Sequence, residues 1–345
     1  MTTSPSETKV VVEKKIEAIQ CGILKAIEEL VSDQTFGNPE NPLRWTSKSL
    51  RNIAEQLSDQ GFKVSYPTIQ RLLIELGYSL QVNHKFLQNG IPHPDTDKQL
   101  YYIEAKSKTF MSNHEPVISV DTKKKENIGN FKNNGAEYHK IGSPTLVLDH
   151  DFPIKELGKV NPYGVYDLAE NRGFVNLGRS HDTAEFAIES IKRWWRHEGN
   201  VRYPNATKML ITCDGGGSNS SRSRLWKVYL QTFVNEIGID VSVSHYPPGA
   251  SKWNKIEHRL FCYISKNWRG KPLVSVEEAI NLIAATRTQK GLIVNCVLDE
   301  NTYESGKKVS DELLGSINIH RDYFHSEWNY TIKRQLTGSL AYNSI

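Results

Sequence analysis

Two aspartates occupy matching places in the sequence. Asp121 closes the short apolar run Val117-Ile-Ser-Val120, and Asp214 closes the run Lys208-Met-Leu-Ile-Thr-Cys213. Runs of this kind read as buried strands, and in an open α/β sheet the ends of central strands are where ligand sites form. If the two strands are neighbours, their carboxylates repel, and a hard divalent cation with oxygen ligands relieves that repulsion. A third carboxylate, Glu257, lies in the block Tyr246-Pro-Pro-Gly-Ala-Ser-Lys-Trp-Asn-Lys-Ile-Glu-His258. There a strand is expected to run into a rigid turn, with a helix starting near Ser251 and Glu257 in its second turn. Asn254, three residues earlier, would then share the face of Glu257. Three such acids can hold two Mg²⁺ ions, or Mn²⁺ in their place. One ion would activate a water or a 3′-hydroxyl, and the other would stabilise the leaving oxygen of a phosphodiester.

The residues around the acids fit that chemistry. Asp214-Gly-Gly-Gly-Ser-Asn219 follows the second strand. Gly215 and Gly216 let backbone approach closely and keep side chains away from the ions, with Asn219 and Asn254 as supporting groups. The run matches neither the Walker nor the dinucleotide glycine pattern, so it does not read as a nucleotide-phosphate loop. A lone strand-end Asp is usually a turn former and a lone helix Glu usually solvated. The three together, in this order, are the specific signal. His258 is read as a packing or hydrogen-bonding residue rather than a ligand, Asp149 and Asp151, which flank a loop, as structural, and Asp167 as a further acidic candidate.

Positioning these groups requires an α/β sheet flanked by helices, which the alternation after residue 116 supplies. Strands are expected at 117–120, 145–148, 173–178, 208–213 and 241–245, and helices at 182–197, 222–237 and 253–268. Ahead of them, residues 1–80 read as all-helical. Ile16, Ile19, Ile23, Ile27 and Leu30 mark one apolar face, and a break rich in turn residues follows at Gln34–Pro42. Thr46 or Ser47 can cap a helix with the stripe Leu50, Ile53, Ala54 and Leu57. After a turn at Gly61, Ser65 can cap a second helix with Ile69, Leu72, Leu73 and Leu76, which Gly77 stops. Two short helices around a glycine turn make a helix-turn-helix candidate, with Thr68, Gln70, Arg71 and Glu75 placed to meet the major groove. Residues 81–115 read as a connector with a polar helix near 97–111. The catalytic domain is expected over 116–270, with an extension at 271–345 packed on it.

The chain of 345 residues carries 43 basic and 39 acidic side chains, a balance that does not by itself mark a nucleic-acid binder. The distribution is more informative. Lys123, Lys124 and Lys125 lie together, Arg222 follows the glycine run, and Lys252 precedes Glu257. Lys192, Arg193 and Arg196 share a helix with Trp194 and Trp195, and Trp253 and Trp268 flank further basic groups, a mixture suited to a phosphate-lined channel. The four cysteines are far apart and form no metal-ligand pair. No apolar run approaches the length of a membrane span and no secretory leader stands at the start, so a cytoplasmic location beside the bacterial nucleoid is expected.

Several blocks resemble bacterial insertion-sequence transposases. These are Val120-Asp-Thr-Lys-Lys-Lys-Glu-Asn-Ile-Gly-Asn-Phe-Lys132, Tyr163-Gly-Val-Tyr-Asp-Leu-Ala169, His181-Asp-Thr-Ala-Glu-Phe186, Asp214-Gly-Gly-Gly-Ser-Asn219, Ser251-Lys-Trp-Asn-Lys-Ile-Glu-His-Arg-Leu-Phe261 and Asn267-Trp-Arg-Gly270. The group resembled is the ISAzo-thirteen family of DDE transposases, over residues 45–332. The resemblance implies a ribonuclease-H-like catalytic fold, two Mg²⁺ ions, and cutting and joining of element ends. It places the triad on Asp121, Asp214 and Glu257, the residues the pattern had already selected. The implied partners are double-stranded DNA, at terminal inverted repeats and at the target, and further copies of the chain on DNA. The alternatives are a nuclease of the same fold that cleaves without joining, and a catalytically silent DNA-binding derivative.

Overall fold

The computed structural model describes residues 22–32, 35–38, 41–46, 49–78 and 93–335, and the chain divides into two compact units, Met1–Leu87 and Gln88–Ile345. In the first unit, α1 (Ile23–Ser32) is followed by β1 (Thr35–Asn38), β2 (Asn41–Thr46), α2 (Leu50–Asp59) and α3 (Tyr66–Glu75). The apolar stripes meet as expected. Ile23, Ile27, Ile53, Leu57, Ile69 and Leu72 are fully buried in one cluster, with Leu30, Leu50, Ala54 and Leu76 packed against it. Ile16 and Ile19 lie outside the described residues. Ser49, not Thr46 or Ser47, caps α2 by accepting from the Asn52 amide; Thr46 ends β2 and Ser47 lies outside the described residues.

The expectation of an all-helical first region is corrected. β1 and β2 pair antiparallel, from Thr35 opposite Thr46 to Asn38 opposite Asn41. Turn formers between two short extended runs close a hairpin as readily as they break a helix.

The second unit opens with α4 (Thr96–Ser112) and continues through β3 (Val117–Thr122), β4 (Glu126–Asn127), β5 (Lys159–Asp167), β6 (Arg172–Gly178), α5 (Ala184–Trp194), β7 (Lys208–Asp214), α6 (Arg224–Ile237) and β8 (Asp240–Tyr246). After a π turn at Glu257–Phe261 come α7 (Cys262–Asn267), α8 (Val276–Ala284), β9 (Ile293–Asp299), β10 (Ile319–Arg321) and β11 (Asn329–Ile332). The main sheet runs β10-β11-β8-β7-β3-β5-β6-β9, and β4 is attached to β5. β3, β7 and β8 are parallel, whereas β5 and β6 run antiparallel beside β3.

Two apolar clusters divide the sheet residues between its faces. One joins Ile118, Val120, Tyr163, Phe174 and Ile211 to Phe186, Ile191 and Trp194 of α5 and Trp226, Leu230 and Phe233 of α6. The other joins Val160, Tyr166, Val175 and Leu177 to Ile256, Leu260, Phe261, Ile264 and Ile283. The alternation along β5 and β6 follows the two-residue period of a strand.

Several sequence expectations change here. Residues 145–148 form no strand: Leu146 is 80% exposed, and Asn130 satisfies backbone groups of Leu146 and Leu148. The strand beside β3 is β5, a longer run of which Val160–Asp167 is buried throughout. The helix expected at 182–197 is α-helical only to Trp194 and continues as a π turn at Trp195–Gly199. Residues beyond 270 do more than pack on the sheet. β9 pairs with β6, and β11 pairs with β8.

Candidate active site at the ends of two parallel strands

The register of β3 and β7 puts Asp121 and Asp214 side by side. Val120 pairs with Cys213, and each aspartate is the next residue along its strand. Both line a cleft of about 780 Å³, together with Asp182, Lys124, Lys125, Arg222, Gly215 and Gly216. Burial is the largest cause raising Asp121 to about 7, followed by the charge of Asp214, with Glu257 and Asp182 adding to it. Asp214 is pushed up to about 6, again first by burial, with the Asn254 hydrogen bond opposing and Glu257 adding. The charges that raise these two acids are all negative. An all-oxygen donor set short of counter-charge suits a hard divalent cation, so the residues present fit Mg²⁺ or Mn²⁺.

Glu257 bears electrostatically on both aspartates, but it is not among the cleft-lining residues. The three carboxylates do not close into one ligand cluster. Among the described residues, that condition is met by a different group, His93, Asp95 and His325.

Hydrogen bonds tie the three acid-bearing segments together. Asn254 Nδ2 donates to Asp214 Oδ1 at 3.1 Å, and Ser119 Oγ donates to Asn254 Oδ1 at 2.5 Å. The same Ser119 Oγ accepts from the Ile256 amide at 3.1 Å, so strand β3 caps the turn that carries Glu257. The regular helix expected over 253–268 is therefore corrected. Residues Ser251–Trp253 form a 3₁₀ turn, Asn254 is extended and fully buried, and Glu257 opens a π turn. Asn254 does not share a helix face with Glu257, because its amide is engaged by the sheet.

Replacing Asn254 with Ala removes a donor from Asp214 and leaves the buried Ser119 hydroxyl without its acceptor. Mg²⁺ affinity, read as stabilisation against Mg²⁺ concentration, is expected to fall about tenfold. An unchanged titration would exclude Asn254 as a positioning residue.

Two supports were not legible in the sequence. Gly164 sits opposite Asp121 in the β3–β5 ladder, and a Cβ there would lie 2.5 Å from Phe261 Cε1 and 2.8 Å from Ile256 Cδ1. The missing side chain lets the Glu257 segment lie against the sheet. His245, fully buried, is held neutral by burial, which lowers it to about 4. Its Nδ1 lies 3.2 Å from the Asp214 carbonyl, an acceptor, so Nδ1 carries the proton and Nε2 accepts from Tyr330 Oη at 3.1 Å. Tyr330 on β11 in turn accepts from Trp226 Nε1 at 2.9 Å. Asp182 was also missed as a cleft residue, although its sequence block had been singled out. It accepts from Thr122 Oγ1 at 3.2 Å.

The other expected residues divide. Lys124, Lys125, Arg222 and Lys252 are exposed. Lys123 pairs with Glu126 at 2.7 Å and lies over the Trp268 ring at 4.3 Å. Asn219 is buried and accepts from Tyr163 Oη at 2.7 Å. Gln70 is exposed, Thr68 bonds Ser65, and Arg71 bridges Glu75 at 3.1 Å. The expected channel of Lys192, Arg193 and Arg196 with tryptophans does not form. Lys192 and Arg196 pair with Glu236, Arg193 pairs with Glu189 and Asp299, and Trp194, Trp195 and Trp268 are buried. Asp167, the further acidic candidate, is buried and accepts from Tyr203 Oη at 2.9 Å.

The sequence matches the family described as the Rhodopirellula transposase DDE domain over residues 26–334. The chain belongs to that family. This membership supports a transposase, and nearly the whole chain takes part in the match. A comparison with curated proteins gives no match. Among solved structures, the Mos1 transposase paired-end complex with left transposon end is similar at a TM-score of 0.40 and 13% identity, over 74% of this chain and 67% of that one. A pre-cleavage Mos1 transpososome gives a TM-score of 0.40 and 14% identity, with the same coverage of each chain. Among the described residues of this transposase, no helix is long and apolar enough to cross a membrane.

Proposed function

We propose that this chain binds the ends of an insertion sequence and carries out metal-dependent cleavage and strand transfer, with Asp121, Asp214 and Glu257 as its catalytic acids. The observation that carries the reading is the side-by-side placement of Asp121 and Asp214 in a cleft rimmed by Lys124, Lys125 and Arg222. The order of β6, β5, β3, β7 and β8, with three antiparallel strands and two parallel ones beyond, supports a ribonuclease-H-like catalytic fold. Asp121, Asp214 and Glu257 would hold two divalent ions, Mg²⁺ with Mn²⁺ able to substitute. When bound, these supply Lewis-acid activation of the attacking oxygen and charge neutralisation at the leaving 3′-oxygen.

The protein's own groups position that chemistry. Ser119 and Asn254 fix the orientation of Asp214 and of the Glu257 turn. Gly215 and Gly216 leave the approach to the acids open: a Cβ at Gly216 would meet nothing within 4 Å, and one at Gly215 would make only ordinary contacts. Lys124, Lys125 and Arg222 supply positive charge for phosphates beside the acids. In the first unit, α2 and α3 form a helix-turn-helix that reads element ends, with Gln70, Thr68 and Arg71 on its second helix.

The deciding experiment supplies Mg²⁺ and DNA carrying the element's own ends. Nicked and joined products from wild type, absent with Asp214→Asn, are expected; no products from wild type would sink the reading. The phosphate-binding side chains have a separate signature. Lys125→Ala with Arg222→Ala is expected to weaken DNA binding without changing sequence preference. It should also reduce the salt slope of log affinity by about 2, roughly 0.9 for each phosphate left unneutralised. An unchanged slope would remove both residues from the DNA path.

A further inference from the structure

A second cluster of metal-ligating side chains lies outside the acid cleft. His93 and Asp95 precede α4, and His325 stands in the turn ahead of β11. One ligand atom of each lies within 4.8 Å of the other two, and all three side chains are half-buried.

His325 faces a carboxylate oxygen with each of its ring nitrogens. Its Nδ1 is 2.9 Å from Glu327 Oε1, so that nitrogen carries the proton and donates. Its Nε2 is 3.1 Å from Asp95 Oδ2. A lone pair on Nε2 facing a carboxylate oxygen is repulsive unless a proton or a cation lies with them. Lys98 Nζ occupies the other oxygen, Oδ1, at 2.7 Å, which leaves Oδ2 for the cluster. His93 Nδ1 accepts from the Asp95 amide at 3.2 Å. A carboxylate behind a ligating imidazole is the usual device for fixing tautomer and raising ligand basicity.

Two imidazoles and one carboxylate form a donor set for a borderline transition ion, unlike the all-oxygen set at Asp121 and Asp214. We propose that His93, Asp95 and His325 bind a divalent transition-metal ion of the zinc class, with Glu327 orienting His325. The ion fastens the entry to α4 onto the turn that leads into the last strand of the sheet. His325 stacks on Trp328 with ring centroids 4.4 Å apart and an interplanar angle of 24°, and Trp328 lines the acid cleft. Filling the site therefore orders one wall of the cleft. This inference does not depend on the proposed reaction.

The test uses the full chain carrying Asp121→Asn and Asp214→Asn, so that the acid cleft does not compete, in excess Mg²⁺. Equilibrium dialysis with Zn²⁺ is expected to give one ion per chain. Co²⁺ should give visible d–d absorption without thiolate charge-transfer bands, and Zn²⁺ should raise the Tm. His93→Ala and His325→Ala are expected to abolish stoichiometric binding, with folding checked by near-UV circular dichroism. Glu327→Gln, an exposed change that keeps the fold, should weaken binding about 10–100-fold. The proposal is overturned by absence of stoichiometric Zn²⁺ binding, which would leave a protonated His325 between two carboxylates. It is equally overturned by binding that survives all three substitutions unchanged.

Discussion

Asn in place of Asp121 or Asp214 will abolish cleavage of element-end DNA and, in the absence of divalent metal, make the protein more stable. The loss of rate should exceed about 10³-fold, because each acid is assigned a role in neutralising charge that develops only in the transition state. The gain in stability follows from the raised pKa values. Asp121 stands at about 7 and Asp214 at about 6, against an ordinary value of 3.8. A carboxyl raised in the folded state binds protons there that the unfolded chain has already released. Stability therefore falls as pH climbs from about 4 to about 7, and the penalty is complete above that. Each pKa unit corresponds to about 1.4 kcal/mol, and partial solvent access to the cleft reduces the total to about 2 kcal/mol per acid. Each single Asn variant should thus melt higher than wild type at pH 8 in EDTA, with the difference vanishing near pH 4. Mg²⁺ should stabilise wild type more strongly as pH rises from 5 to 8, and should do far less for the variants. Equal melting temperatures in EDTA at pH 8 would contradict the electrostatics described for the cleft.

Gly164→Ala will disable the site without touching any acid. Its Cβ would come 2.5 Å from Phe261 and 2.8 Å from Ile256, on a strand whose next neighbour carries Asp121. Phe261 and Ile256 belong to the buried cluster behind the sheet, so neither can swing into solvent. Overpacking of this kind costs about 2 kcal/mol. The easier relaxation is a shift of the Ile256–Phe261 turn away from the sheet, which carries Glu257 with it. A displacement near 1 Å at a reacting group costs about 10²-fold in rate. Urea denaturation and the end-cleavage assay measure the two effects separately. A variant with wild-type cleavage would show that the close approach at Gly164 does not position Glu257.

Local pattern carried much of the site. Two strands ending in Asp121 and Asp214 were legible because buried strands are continuous apolar runs, and the structure places those ends side by side in register. The stripes of α2 and α3, the spans of β6, β7, β8 and α6, and family membership were legible for the same reason: each is written in residues close together in the chain. Residues 145–148 misled because four apolar or β-branched residues satisfy a strand pattern whether or not a partner exists. β5 was passed over because Gly164 and Pro162 dilute its pattern. In the folded sheet those two positions are an asset: Gly164 makes room for Phe261, and Pro162 still gives its carbonyl to the Lys123 amide.

Sequence by itself determined the candidate acids, their order and the strands that carry two of them, since strand period and chemistry-bearing residue types are local properties. Tertiary structure alone decided that Asn254 leaves its helix to hold Asp214, that Ser119 caps the Glu257 turn, and that Lys123, Lys192 and Arg193 are engaged by neighbouring acids. It also brought Tyr330 from the last strand under Asp214 through His245. Each of these joins groups whose pairing depends on the folded backbone. Its free energy is set by burial and partner geometry that no local window of the sequence contains.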